Sequence, residues 1–170
     1  VTSAFRIAYF KVHYTAIYYA TYFSTRFDDF DLETMVNGYD AIKAKMNEII
    51  QKGYQATNKE SSVLETLKLC LEATARGFKF GLIDIEKSDG KNFVIGEDQK
   101  TLICPFRTLD GLGDSVAAKI IEERNIKPFY SIEDFSIRGH VNGTTVDRLR
   151  SLGVFGNLPE TSQLSLFDFA

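Results

Sequence analysis

The stretch Leu109-Asp110-Gly111-Leu112-Gly113-Asp114-Ser115-Val116-Ala117-Ala118-Lys119 restricts the fold of this chain more than any other. Two glycines alternating with leucine mark a backbone that turns tightly and leaves room for close approach. The residues beyond them carry Val116, Ala117, Ile120 and Ile121 at helical spacing, so the turn leads straight into a helix with those four facing inward. A helix start leaves amide hydrogens unpaired and positively polarised. Gly111, Leu112, Gly113, Asp114 and Ser115 therefore form a cradle for an anion that needs no basic side chain. Lys119 follows one turn along, placed to reach a second phosphate.

This spacing resembles the helix-hairpin-helix motif, which implies a sequence-neutral grip on the sugar-phosphate backbone of DNA. The competing reading is a tight helix–helix turn with glycine serving geometry alone. A weaker second copy follows. Ser131-Ile132-Glu133-Asp134 caps a short helix, Arg138 to Gly143 makes a turn, and Thr144 caps a helix carrying Val146, Leu149 and Leu152 that stops at Gly153. Thr144, Thr145 and Arg148 would occupy its phosphate-facing end. The Gly-x-Gly core is missing here, so this half is either a second contact or a packing partner completing a pseudo-symmetric pair.

A net charge of −3 over 170 residues would ordinarily speak against a nucleic-acid binder. The average conceals an uneven chain. Residues 1–27 carry Arg6, Lys11 and Arg26 with no acid, residues 28–100 hold 10 bases against 14 acids, and residues 101–158 are balanced at 7 and 7. The glycine turn thus sits in a neutral region, where amide hydrogens suffice. The hydrophobic fraction of 44% is that of a globular chain, and two cysteines exclude a disulfide scaffold. Charges interrupt every apolar run well before about 18 residues, so no transmembrane helix is expected. The chain opens on Val1 rather than Met, without a signal-peptide pattern, and reads as a piece of something longer.

The expected fold class is α+β, mainly α. Residues 1–26 hold one or two helices with a broad aromatic face of Phe5, Tyr9, Tyr14, Tyr18 and Tyr22. Asp31 caps a helix running to about Lys52, where Gly53 stops it. Thr57-Asn58-Lys59-Glu60 and Ser62-Val63-Leu64-Glu65 are both capping-box patterns, introducing a third helix that ends at Gly77. Strand-like runs follow at 78–85, 92–95 and 102–106, with Ser88-Asp89-Gly90-Lys91 as a hairpin signal, which predicts a small antiparallel sheet. The expected divisions are helices over 1–56, helix plus sheet over 57–106, a tandem helix-hairpin-helix-like region over 107–158, and a flexible tail over 159–170.

That tail holds a second sharp signal, Gln163-Leu164-Ser165-Leu166-Phe167. A free apolar pentapeptide is disfavoured on a surface unless a partner pocket accepts it. It resembles the bacterial sliding-clamp-binding motif, although a last strand docking on its own domain is the plainer alternative.

Taken together, the glycine turn, the tail, Arg6-Ile7-Ala8-Tyr9-Phe10-Lys11-Val12-His13 and Ile120-Ile121-Glu122-Glu123-Arg124 resemble the C-terminal region of PolC-type bacterial DNA polymerase III alpha subunits. Many relatives have His-Pro where this chain has Tyr14-Thr15. The resemblance implies fingers helices at the N-terminal end and a duplex- and clamp-binding C-terminal end. It implies as partners the double-stranded DNA backbone, the bacterial beta sliding clamp and the remainder of the alpha subunit, in the cytoplasm. It also implies that the nucleotidyltransferase chemistry, with two magnesium ions held by palm carboxylates, resides upstream of Val1. No catalytic residue, metal ligand or cofactor is expected in this stretch, and the chain alone should be inactive. The rival reading is a non-enzymatic helix-hairpin-helix adaptor from DNA repair that carries a clamp peptide.

Other chemistry is thin. Asp28-Asp29-Phe30-Asp31 contains an Asp-x-Asp but reads as a loop with a helix cap, and Asp84-Ile85-Glu86 reads as a solvated face. His13 and His140 lack partners at metal spacing, and Cys70 and Cys104 sit in apolar contexts as core thiols suited to a reducing compartment.

Overall fold

The computed structural model describes residues 2–161. The aromatic N-terminal segment becomes helices α1 (Thr2–His13) and α2 (Thr15–Arg26), joined at Tyr14, with the Thr15 hydroxyl donating to the Lys11 carbonyl at 3.0 Å. The buried aromatic face is not the one that spacing suggested. Tyr19 and Phe23 are fully buried, packing edge-on against Phe78 and Phe80, whereas Phe5, Tyr9 and Tyr14 stay exposed. The Tyr19 hydroxyl donates to Glu72 at 2.7 Å, and Lys11 pairs with the same carboxylate at 2.7 Å, pinning both helices to the longest helix of the fold, Asn58–Ala75.

The helix expected from Asp31 to Lys52 is two helices, α3 (Leu32–Val36) and α4 (Tyr39–Lys52). Asp31 caps the first as expected, accepting from the Thr34 amide. The break falls at Gly38, whose φ of 86° lies in the left-handed region that glycine adopts without strain. Helix α5 (Asn58–Ala75) opens with a complete capping box of Thr57 and Glu60; the similar Ser62–Glu65 pattern lies inside the helix and caps nothing. Its buried residues Val63, Thr66, Leu67, Cys70 and Ala73 carry it across the core.

The sheet is mixed rather than antiparallel. Strands β1 (Lys79–Gly81), β2 (Val94–Ile95) and β3 (Thr101–Ile103) lie in the order β1-β3-β2. β1 runs parallel to β3 with Phe80 opposite Leu102, and β2 runs antiparallel to β3 with Ile95 opposite Leu102. The Ser88–Lys91 signal does not make a hairpin, because both its polar residues and its glycine are committed elsewhere. The Ser88 hydroxyl is buried, donating to the Cys104 carbonyl at 2.7 Å and accepting from the Asp84 amide at 2.9 Å. Asp89 accepts from the Asn92 amide, and a Cβ at Gly90 would stand 3.4 Å from the Ala117 backbone. The true hairpin turns at Asp98, which accepts from the amides of Lys100 and Thr101.

After a 3₁₀ turn at Phe106–Thr108 come α6 (Asp114–Ile126), α7 (Ile132–Gly139) and α8 (Gly143–Ser151). One buried cluster runs without interruption from Tyr19 through Leu102 and Phe106 to Ile120, Phe135 and Phe155. The chain beyond α8 returns to α7, so its last described residues are anchored rather than loose. The Pro159 and Glu160 carbonyls accept from the Ile132 and Glu133 amides at 2.9 and 3.0 Å, and Arg150 pairs with Glu160 at 2.9 Å. The pentapeptide Gln163–Phe167 lies outside the described residues. Among the described residues no helix is long and apolar enough to cross a membrane.

Candidate nucleic-acid interface

The first hairpin is built by Thr108, Gly111 and Gly113. The Thr108 hydroxyl is buried and donates to the Pro105 carbonyl at 2.7 Å, closing the 3₁₀ turn that precedes the loop. Gly111 then takes a φ of 88°, Leu112 drops into the core, and Gly113 enters α6 with φ −71° and ψ 157°. These two glycines serve different ends. Gly111 has a backbone that L side chains rarely adopt, whereas Gly113 has an ordinary extended one. A Cβ at Gly113 would meet nothing within 4 Å, so the fold itself does not demand glycine there. No side chain caps this helix start. The first helical bond runs from the Ala117 amide to the Gly113 carbonyl at 3.0 Å, leaving the Asp114, Ser115 and Val116 amides without a partner among the described residues.

The second hairpin repeats the first in backbone. His140 occupies the left-handed position with φ 54°, Val141 is buried like Leu112, and Asn142 enters α8 with φ −71° and ψ 156°. Gly111-Leu112-Gly113-Asp114 thus corresponds to His140-Val141-Asn142-Gly143. The cap is Asn142 and not Thr144: its side chain accepts from the Thr145 amide at 2.8 Å. Thr145 also turns inward, only 7% exposed, which leaves Gly143 and Thr144 at the open end. The residue-by-residue correspondence is hidden in the sequence because the second turn carries no Gly-x-Gly. The available signal was chemical, since Asn and His tolerate the left-handed region better than most residues and Asn is a strong helix cap.

The basic side chains are more engaged than their spacing suggests. Lys119 folds along its own helix to Glu122 and Glu123 at 3.2 and 2.9 Å, and these carboxylates hold its ammonium above the usual lysine range. Arg148 reaches from α8 to the Asp110 carbonyl at 3.4 Å and stands 3.7 Å from Glu33, tying the two hairpins together. Arg138 closes the C-terminal end of α6, donating to the Glu123, Lys127 and Pro128 carbonyls at 2.5, 2.8 and 3.2 Å. Arg124 performs a similar task for the loop before β2, donating to the Ile85 and Ser88 carbonyls.

A cleft of about 420 Å³ borders the first hairpin, lined by Asp28, Lys59, Arg107, Gly111, Gly113 and Asp114 among others. Arg107 lies on its floor with its side chain 8% exposed, bound to the Phe27 carbonyl and to Asp28 at 3.2 Å. Asp28 is thus paired with Arg107, and Asp31 is engaged as the cap of α3. Among the described residues no group of three or more His, Cys, Asp or Glu is placed to hold a metal ion. Burial pushes both the Cys70 and Cys104 thiols up, as expected of core thiols.

Two hairpins that share one core, each with a left-handed residue, a buried aliphatic and an extended residue leading into a helix at its turn, define a helix-hairpin-helix protein. The family model described as the helix-hairpin-helix motif matches residues 77–164, more than half of the chain, and the chain belongs to that family. Over 99% of its length it is also similar to proteins named DNA polymerase III PolC-type. It is 48% identical to that of Lacticaseibacillus paracasei, 46% to that of Latilactobacillus sakei and 46% to that of Streptococcus agalactiae serotype III. The chain spans only 11–12% of the length of these relatives.

Proposed function

We propose that this chain is the duplex-gripping and clamp-tethering part of a PolC-type replicative DNA polymerase, supplying processivity rather than chemistry. The observation that carries the reading is the uncapped start of α6, where three free amides meet open space beside Gly113. A phosphate seated there is held by backbone dipoles without reference to base sequence. Gly111, Leu112, Gly113, Asp114 and Ser115 form the primary contact, and Thr144, Thr145 and Arg148 belong to the supporting second hairpin. Asn142 occupies one amide of that second turn, so its share of the contact is the smaller.

In this reading Gln163, Leu164, Ser165, Leu166 and Phe167 engage the bacterial beta sliding clamp. Two weak contacts on one molecule raise the effective concentration of each, which suits an enzyme that must move without dissociating. Polymerisation, its two magnesium ions and the remainder of the alpha subunit belong to the longer cytoplasmic protein. The carboxylates of Asp28 and Asp31 do not fit a two-metal site, since one pairs with Arg107 and the other caps α3.

The test is binding of the 170-residue chain to fluorescent duplexes of unrelated sequence across a salt series. Equal affinities that weaken with salt are expected. Absence of binding, or a strong base preference, would refute the grip. Nucleotide incorporation by the chain alone is expected to be nil.

A further inference from the structure

Beside the first hairpin sits a cation that comes from outside the helix-hairpin-helix region. Lys59, in the first turn of α5, lines the same cleft as Gly111, Gly113 and Asp114. Its ammonium lies 2.7 and 2.6 Å from the two carboxylate oxygens of Asp110, the residue immediately before Gly111. Both side chains are more than half exposed, at 54% and 58%. An exposed pair of this kind contributes little net stability, so either partner can be exchanged for another ion at small cost. Arg148 faces the same aspartate from α8, and together the two cations hold the Asp110 carboxyl below the usual range. A carboxylate so placed offers Lys59 the same charge and oxygen geometry that a phosphodiester offers. It also puts a negative charge next to the amides that would receive the phosphate.

We propose that Lys59 is a phosphate-binding residue of the duplex grip, held in reserve by Asp110 until the DNA backbone displaces that carboxylate. The proposal rests on the duplex-gripping reading and adds to it a contact from α5. Asp110 then acts as a placeholder: it keeps Lys59 pointed at the cleft in the free protein and opposes phosphate entry by its own charge. Binding exchanges one ion pair for another, with no bond made or broken.

The two roles open to Asp110 predict opposite signs. If it is a placeholder, Asp110→Asn removes the competitor and tightens binding of a mixed-sequence duplex about threefold to tenfold. If the Lys59–Asp110 pair merely holds the loop in shape, the same change weakens binding. Lys59→Gln should weaken binding about fivefold or more and reduce the slope of log affinity against log salt by about 0.9, the share of one phosphate contact. Lys59→Arg should preserve that slope. All are to be made in the 170-residue chain, with thermal melting as the control for folding. Where Asp110→Asn loosens the loop, the two Lys59 variants decide between the roles by themselves. An unchanged affinity and slope in Lys59→Gln, or weaker binding in a stably folded Asp110→Asn, overturns the proposal while leaving the grip intact. A wild-type chain that binds no duplex at all overturns the grip itself.

Discussion

Replacing Gly113 by Asn separates what the fold needs from what a ligand needs. Asn142 shows the expected geometry, because its backbone angles match those of Gly113 to within a degree and its side chain caps Thr145 at 2.8 Å. In Gly113→Asn the carboxamide should cap the Val116 amide in the same manner. Asn exceeds Gly as a cap by a few tenths of a kcal/mol. Replacing Gly at a compatible backbone position adds about 0.4–1 kcal/mol by restricting the unfolded chain. No steric term opposes this, since a Cβ at 113 meets nothing within 4 Å. The sum is about 1 kcal/mol of stabilisation, or roughly 3 °C in melting temperature for a chain of this size. The same side chain occupies the amide and the space that a phosphate would use. Losing one hydrogen bond to a charged group costs about 1.5–3 kcal/mol, so duplex affinity should fall roughly tenfold to a hundredfold. Calorimetric melting and fluorescence anisotropy on one preparation read both quantities. A more stable variant that binds duplex as tightly as the parent would refute the assignment of the α6 start as the phosphate site.

Gly111→Ala should act in the opposite sense, destabilising the chain by about 1–2 kcal/mol in urea denaturation because a φ of 88° is strained for any side chain. Gly139→Val should cost about 1–3 kcal/mol, since even a Cβ there stands 3.0 Å from Ile120 and 3.2 Å from Val141, where α6 meets α7. Hydrogen exchange should then rise in both hairpins together. Glu60, bound by Lys52 and the Thr57 amide, has its carboxyl lowered from 4.5 to about 2. A depressed carboxylate stabilises the folded state above its unfolded value, so this contribution is complete above about pH 4.5 and lost as pH falls toward 2. Glu60→Gln should flatten acid unfolding in that window; an unaltered profile would show that the Glu60 carboxylate, held by Lys52 and the Thr57 amide, carries none of it. Deleting Gln163–Phe167 should abolish clamp binding in a pull-down while duplex affinity and melting temperature stay unchanged.

Much of this fold is legible locally. Thr57 and Glu60 cap α5, Asp31 caps α3, Gly53 and Gly77 follow helix ends, and the Gly111–Gly113 turn enters α6 as its spacing implies. These features depend on backbone groups within a few residues of one another. The break at Gly38 is hidden because the apolar pattern continues through it, and the aromatic pattern does not choose between Tyr18 and Tyr19, both of which suit a helix, until Phe78 packs against Tyr19.

The sheet and the site required long-range information. Asp89-Gly90 carries a strong hairpin signal, yet the glycine is needed where α6 approaches and Ser88 is needed at the Cys104 carbonyl, so β1 pairs parallel with β3 instead. The equivalence of His140 with Gly111 and of Asn142 with Gly113 rests on backbone angles, which a search for repeated residue types does not see. Sequence alone determined that a glycine turn opens a helix whose amides can receive an anion, because that follows from local stereochemistry. Tertiary packing decided that Arg148 is engaged by Asp110 and Glu33, and that Lys59 stands at the cleft beside Asp110. Those outcomes depend on residues far apart in sequence meeting in space, and local preference does not encode such encounters.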